Sequence, residues 1–122
     1  MNIFQTVYTD LNVAPVTALA NDISPYVRGR GKDFPAVLYE VPTQNFERLS
    51  MGVYRTSSSV MVQCIARSVQ DAESLSEAVL AALVDNVCNV LESIDRDYEE
   101  GYDDDSVGLF SVTINYINYK GG

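Results

Sequence analysis

The segment from residue 60 to residue 86 most strongly constrains the fold, because a buried strand runs directly into an amphipathic helix. Residues 60–67 read Val-Met-Val-Gln-Cys-Ile-Ala-Arg, with apolar side chains on both faces near the middle. This pattern is typical of a central strand that carries a helix on one side. A helix is predicted from Gln70 to about residues 84–86, and its apolar stripe is formed by Leu75, Ala78, Val79, Ala82 and Leu83.

The N-terminal third predicts two helices and one or two strands. Residues 2–11 predict an amphipathic helix with Asn2 as its N-cap. Its apolar face consists of Ile3, Phe4, Val7, Tyr8 and Leu11. Pro15 suits the first turn of a second short helix that ends near Asn21. Residues 26–27 allow a short edge strand. Residues 34–41 predict a strand that Pro42 ends or marks as an edge.

The secondary structure of two segments is ambiguous from their residues, whereas that of a third, near the C-terminus, is clear. Residues 43–58 are polar and fit either a long hairpin arm or a flexible loop. Residues 88–98 fit both a continued helix and a strand with Val90, Ile94 and Tyr98 on one face. Residues 109–119 alternate as a strand, and residues 120–122 are expected to fray.

The order of these elements predicts one α+β domain over residues 1–122. We expect a mainly antiparallel sheet of four to five strands with the helices packed on one face. A chain of 122 residues with 47% hydrophobic residues suits a single core of this kind.

Charge is distributed unevenly along the chain, whose formal net charge is −9. Residues 1–67 carry 6 basic and 5 acidic side chains, whereas residues 68–122 carry 2 and 12. Such an acidic chain does not bind nucleic acid over its whole surface, because phosphate binding needs a positive field. A basic segment, Arg28, Arg30 and Lys32, contrasts with an acidic one, Glu99, Glu100, Asp103, Asp104 and Asp105. The two segments suit head-to-tail pairing between copies, and the alternative is a solvated acidic loop that keeps the protein soluble.

The residues do not assemble into a catalytic or metal-binding pattern. The chain has no histidine, which excludes Ser-His-Asp and Cys-His schemes and histidine metal ligands. Asp95, Asp97 and Glu99 alternate like the start of an EF-hand loop, but Glu100 stands where that loop needs glycine. Cys64 and Cys88 are expected to be buried structural thiols. We therefore expect neither an enzyme nor a cofactor or metal site.

Four stretches together resemble the tail-completion, or tail-terminator, proteins of long-tailed bacteriophages and related gene-transfer particles. The resemblance covers nearly the whole chain. The stretches are residues 13–19, the glycine-rich loop that runs into residues 34–39, residues 60–67 with the helix from Asp71 to Val79, and Arg96-Asp97-Tyr98 with its acidic residues before Gly108-Leu109-Phe110. In that family the segment before the acidic turn is a strand, so a strand is favoured for residues 88–98.

The resemblance implies a structural role without catalysis. Such proteins form a ring, typically of six copies, that caps the head-proximal end of the tail tube and meets the head connector or stopper protein. The implied location is the neck of the virion, after assembly in the host cytoplasm, with DNA passing through the ring unbound. Arg28, Arg30 and Lys32 and the five acidic residues from Glu99 to Asp105 are the hypothesised ring or partner contacts. A competing reading places the acidic segment at the lumen, where it repels DNA.

A second class of function remains open from the composition. A small acidic intracellular binding module or inhibitor, mimicking nucleic acid, would occupy the groove of a basic partner in a salt-dependent way. Stoichiometry separates the two readings, because such a module is expected to be a monomer or a dimer.

Overall fold

The computed structural model describes residues 2–25, 34–48, 54–97 and 109–121, which form three helices and one five-stranded sheet. The elements in chain order are α1 (Ile3–Leu11), α2 (Ala14–Thr17), β1 (Asp22–Pro25), β2 (Ala36–Arg48), β3 (Tyr54–Ala66), α3 (Val69–Val84), β4 (Asn89–Asp97) and β5 (Phe110–Gly121). The strand order across the sheet is β1-β2-β3-β5-β4. Strand β1 pairs parallel with β2 and the other neighbours pair antiparallel, which confirms the predicted α+β class.

The core lies between one face of the sheet and the helices. The strands contribute alternate side chains, among them Val37, Tyr39, Val60, Val62, Cys64, Val112, Ile114 and Tyr116. The helices contribute Val7, Leu11, Val16, Leu75, Val79 and Leu83. Each fully buried aliphatic side chain of this kind stabilises the fold by about 1.5–3 kcal/mol. The expected arrangement, with helices on one face and β3 in the centre, is confirmed.

Helix α1 begins as the sequence predicts but buries less of its apolar face. The side chain of Asn2 accepts a hydrogen bond from the Gln5 backbone, and the Gln5 side chain accepts one from the Asn2 backbone, both at 2.9 Å. Val7 and Leu11 are buried, whereas Phe4 and Tyr8 remain 43% and 42% exposed. The sheet therefore covers only part of the predicted stripe.

Helix α3 confirms the strongest helical pattern. The hydroxyl of Ser68 accepts a hydrogen bond from the Asp71 backbone N–H at 3.1 Å and caps the helix. The face that meets the sheet is formed by Ala72, Leu75, Ser76, Val79, Ala82 and Leu83. The predicted stripe matches this face except at Ala78, which is only partly buried.

Strand β2 does not end at Pro42, so the first of the two predictions for this residue is wrong. The second, an edge position, fits the structure, because β1 pairs only with Ala36–Tyr39 of β2. The strand continues to Arg48, and residues 43–48 pair with residues 54–59 of β3. The pairing register shifts between Glu40 and Thr43, so Pro42 lies where the ladder is already interrupted and its missing N–H is tolerated. Residues 43–48 and 54–59, called the arm below, thus form the hairpin arm that was one of the two readings of this segment.

Strand β4 confirms a strand over most of residues 88–98, but its faces differ from the prediction. The register shifts between Leu91 and Ser93. Val90 lies opposite Ile117 and Ile94 lies opposite Ile114, so Val90 and Ile94 face opposite sides of the sheet. A simple alternation does not allow for this extra residue.

The two ends of the sheet differ from the expectations in further respects. The predicted fraying is wrong for Lys120 and Gly121, which pair with Thr56 and Arg55 because the arm lengthens β3. Strand β1 ends at Pro25, and the strand predicted at residues 26–27 lies outside the described residues.

Candidate protein interaction surface

The charged residues predicted as contacts lie outside the described residues. Arg28, Arg30 and Lys32 belong to residues 26–33, and the five acidic residues belong to residues 98–108. One end of the sheet has a row formed by Ala36 of β2, Ile65 of β3, Ser111 of β5 and Asp97 of β4. The acidic segment leaves and re-enters the sheet beside this row, and the basic segment leads into β2 there, whereas its other end follows Pro25, which lies opposite Tyr39. The described residues do not test the charge pairing, which stays a prediction.

An aromatic groove lies between α1 and the helix side of β2. Phe4 and Tyr8 project from α1 beside the buried Tyr39, and the ring centroids of Phe4 and Tyr39 are 6.5 Å apart. Burial, and secondarily the neighbouring Tyr8, raises the pKa of Tyr39 above its usual value. The groove continues toward the arm, where Phe46 lines it with 72% of its surface exposed. We call Phe4, Tyr8, Tyr39 and Phe46 the aromatic groove.

Polar contacts hold the arm on both sides. On the helix side, Gln44 donates a hydrogen bond to Ser58 at 3.0 Å. On the opposite side, Arg55 pairs with Glu47 at 2.5 Å and its guanidinium lies 5.3 Å from the centroid of the Tyr119 ring. The third strand, β5, also pairs with the arm through residues 117–121. The arm therefore positions Phe46 as part of a three-stranded sheet.

A second apolar surface surrounds the connection from α3 to β4. Val84, Val87 and Leu91 are exposed there, and Val87 has 91% of its surface exposed, whereas Val90 lies opposite Ile117 on the other face of the sheet. Backbone hydrogen bonds from Asn86 to Leu83 at 3.2 Å and from Asn89 to Asn86 at 3.0 Å fix the connection. We call Val84, Val87 and Leu91 the apolar turn.

Asp10 joins α1 to the apolar turn. Its carboxylate accepts hydrogen bonds from the side-chain amides of Asn86, at 3.1 Å, and Asn89, at 3.2 Å. The Asn89 amide also donates to the Leu83 carbonyl at 2.9 Å. Helix α1 thus lines the aromatic groove with its first residues and holds the apolar turn with its last ones.

A further contact fixes β4 against α3. Arg96 donates to both carboxylate oxygens of Glu73, at 2.6 and 3.3 Å. A bidentate pair of this type sets orientation as well as distance. The edge strand β4 is therefore tied to the helix layer at both its beginning and its end.

The two cysteines differ in burial, and Tyr116 is buried like Cys64. Cys64 is buried, and burial raises its pKa to about 12, so its thiol stays protonated at neutral pH. Cys88 is exposed, so the expectation that it is buried is wrong. It lies in the connection between α3 and β4. Burial, and secondarily Asp10, raises the pKa of Tyr116, whose hydroxyl has no hydrogen-bond partner among the described residues.

The described ranges contain neither a cluster of metal ligands nor a membrane-spanning helix. Within residues 2–25, 34–48, 54–97 and 109–121, no three or more acidic or cysteine side chains gather in a way that could hold a metal ion. None of the helices in those ranges has the length and apolar character needed to cross a membrane.

Sequence reasoning missed the surface residues that the structure brings into view. Phe46 stands alone in a polar segment, and Val87 follows the end of a helix. Neither residue therefore belongs to a sequence pattern that indicates an exposed apolar surface. Single large apolar residues in such settings are a weak signal, since surfaces commonly carry them. Only the pairing of the arm and the position of α1 show that these residues border a groove and a turn.

Comparison with known proteins finds a likeness among solved structures. Neither a protein-family model nor a curated protein matches the chain. Among solved structures, the chain is similar to one chain of the "Virion of native gene transfer agent (GTA) particle" with a TM-score of 0.66. The match covers 95% of this chain and 92% of that chain at 14% identity. At this identity the likeness shows a shared fold.

Proposed function

We propose that the protein is a structural component of a phage-like particle, a tail terminator that caps the head-proximal end of the tail tube as a ring. The observation that carries the proposal is the fold shared with a chain of a gene transfer agent virion across nearly the full length of both. The sequence resemblance to tail-terminator proteins, which rests on separate stretches of residues, supports the same role.

Capping is a matter of surfaces and requires no reaction. A subunit that matches the tube on one face and offers no further tube-like face ends polymerisation. The protein acts without catalysis, cofactor or membrane, and its partners are copies of itself, the tail tube protein and the head connector or stopper. It resides in the neck of the particle after assembly in the host cytoplasm.

The charge of the chain fits passage of DNA through such a ring. With a net charge of −9, a ring of copies repels a polyanion instead of holding it. DNA is therefore expected to pass without specific binding.

The first test is the native mass by light scattering over a range of protein concentrations. A species of about 81 kDa, six times the 13.5 kDa of the chain, is the expected result. A stable dimer at all concentrations would contradict the proposal and favour the acidic binding module. A basic polypeptide added to that dimer would then show the salt-dependent binding expected of a nucleic-acid mimic.

The second test measures capping itself. Purified protein is added to tail tube protein of the same particle during polymerisation, and tube lengths are measured by electron microscopy. Tubes are expected to become shorter as the ratio of cap to tube protein rises, with the protein visible at one tube end only. Unchanged lengths and bare ends would overturn the capping role.

A further inference from the structure

We infer that the apolar turn of one copy packs into the aromatic groove of the next copy, which makes the contact between neighbours head-to-tail. This inference rests on the proposed ring and names the surfaces that build it. Both surfaces are rich in exposed large apolar side chains, and together they account for six of those that the structure exposes: Phe4, Tyr8, Phe46, Val84, Val87 and Leu91.

The positions of the two surfaces favour a second copy as the occupant. The aromatic groove lies beside β2, and the apolar turn leads into β4, the opposite edge strand of the sheet. A contact between two different surfaces of identical chains is heterologous, and its repetition closes into a ring when the rotation allows. A dimer that paired groove with groove, or turn with turn, would instead leave the other surface uncovered.

One surface is concave and the other presents an exposed side chain. The groove is a hollow with aromatic walls, formed by Phe4, Tyr8 and Tyr39 and extended by Phe46. The apolar turn presents Val87, almost fully exposed, as its most prominent side chain. An aliphatic side chain in an aromatic pocket is the type of central contact that dominates protein interfaces.

Charges at the rims are complementary. On the groove side, Lys120 lines the hollow and Arg48 shares its face of β2 with Phe46. On the turn side, Asp85 follows Val84 and Glu92 follows Leu91, and both acids are exposed. Opposite charges at a polar rim orient the partners more than they add affinity.

Both surfaces are held in place within each copy. Asp10 and the backbone hydrogen bonds fix the apolar turn, while the capping box at Asn2 and the pairing of the arm fix the groove walls. Little ordering is then required when two copies meet, and preorganised surfaces lose less free energy on association.

Substitution on each surface tests the contact. Val87→Asp and Phe46→Asp, made separately, are each expected to weaken self-association about tenfold or more in sedimentation or light scattering. Leu19→Asp is the matched control, since Leu19 is an exposed leucine outside both surfaces, and its association is expected to equal that of the wild type. Circular dichroism verifies that all three variants are folded.

Disulfide trapping tests the register of the contact. Thr56→Cys places a thiol in the groove, where the natural and exposed Cys88 of the next copy should meet it. Mild oxidation with copper phenanthroline in air is expected to give a ladder of covalent oligomers on a non-reducing gel. Ser57→Cys is the control, because residue 57 points to the other face of the arm, and it is expected to give no ladder.

The outcomes separate this contact from the proposed function. Rings that persist in Val87→Asp and Phe46→Asp would overturn the proposed contact but would not contradict the proposed ring. Variants that form rings but no longer bind tail tube protein would assign the groove to that partner and overturn the second copy as its occupant. A wild-type chain that neither self-associates nor caps tubes would overturn both proposals.

Discussion

At the scale of single residues, Asp10 connects parts of the chain that are far apart in sequence. Its carboxylate is the common acceptor for Asn86 and Asn89, 76 and 79 positions away. Removal of the shared acceptor leaves the Asn86 amide without an acceptor in a partly buried setting, whereas the Asn89 amide keeps its hydrogen bond to the Leu83 carbonyl. The loss per unsatisfied group is about 1–3 kcal/mol.

Asp10→Ala is therefore expected to lower the free energy of unfolding by about 1–3 kcal/mol, measured by urea denaturation. Asp10→Asn keeps one oxygen acceptor, so a smaller loss is expected. Glu77→Ala, at an exposed position of α3, serves as the control and should change the free energy of unfolding little. Equal effects of Asp10→Ala and Glu77→Ala would show that the link to the apolar turn contributes nothing.

The buried thiol of Cys64 makes stability depend on pH in the alkaline range. In the unfolded chain the thiol ionises near its ordinary pKa of 9.0, whereas burial raises the pKa in the folded protein to about 12. Between these values the folded protein holds a proton that the unfolded chain has lost, so stability falls as pH rises. Below pH 9 both states are protonated and Cys64 contributes no pH dependence.

The free energy of unfolding is expected to fall by up to about 1 kcal/mol per pH unit once the pH exceeds the pKa of the thiol in the unfolded chain. Cys64→Val removes the thiol and keeps an apolar side chain, so its decline should begin later, where Tyr39 and Tyr116 ionise in the unfolded chain near pH 10. Unfolding curves recorded at several pH values with a reductant present measure the difference. Identical pH profiles for both proteins would contradict the assignment.

At the scale of elements, the arm and the helical layer make different contributions. The residues of the main core belong to α1, α2, α3 and the strands outside residues 44–58. The body of the domain should then fold without the end of the arm, while the groove loses Phe46 and Thr56.

Replacement of residues 44–58 by Asn-Gly tests this division. Thr43 and Ser59 lie directly opposite each other, so a two-residue turn can join them in the same register. The shortened chain is expected to keep its helical circular dichroism and unfold cooperatively, yet to remain monomeric in light scattering. Loss of cooperative unfolding would show that the arm is part of the folding core, and retained rings would show that it is dispensable for assembly.

Local patterns in the sequence predicted most elements, and the exceptions have specific physical causes. The strand at residues 60–66, helix α3 and strand β5 have long, regular apolar periods, so their type was clear. Pro42 and Glu92 mark register shifts, which depend on partner strands that a single segment does not encode. The aromatic groove depends on where α1 crosses the sheet, and its members are widely separated along the chain.

At the scale of the whole molecule, net charge determines how copies respond to salt. Each copy carries −9, so approaching copies repel one another at low ionic strength. Salt screens this repulsion, whereas packing of the apolar turn into the aromatic groove is little affected. Pairing of the basic and acidic segments would respond in the opposite direction.

Self-association measured by light scattering is expected to hold or strengthen as NaCl rises from about 0.05 M to about 0.5 M. The exposed charges at the rim contribute little and do not reverse this trend. Arg28→Glu combined with Arg30→Glu and Lys32→Glu tests the other view directly. Rings that dissolve in salt and fail to form in this triple variant would favour the charged segments as the principal contact.

Two strands leave one side unpaired, β2 beyond Tyr39 and the edge strand β4, and each contains a break that bears on how safely the protein can accumulate. Strand β2 has Pro42 within its register shift, and β4 has Glu92 within its own. An uninterrupted edge of 9 to 13 residues would be a template for the stacking of foreign strands into fibrils. With a missing N–H on one edge and a charged bulge on the other, neither edge offers a continuous ladder, so the chain is protected against amyloid-like aggregation when it is produced in quantity.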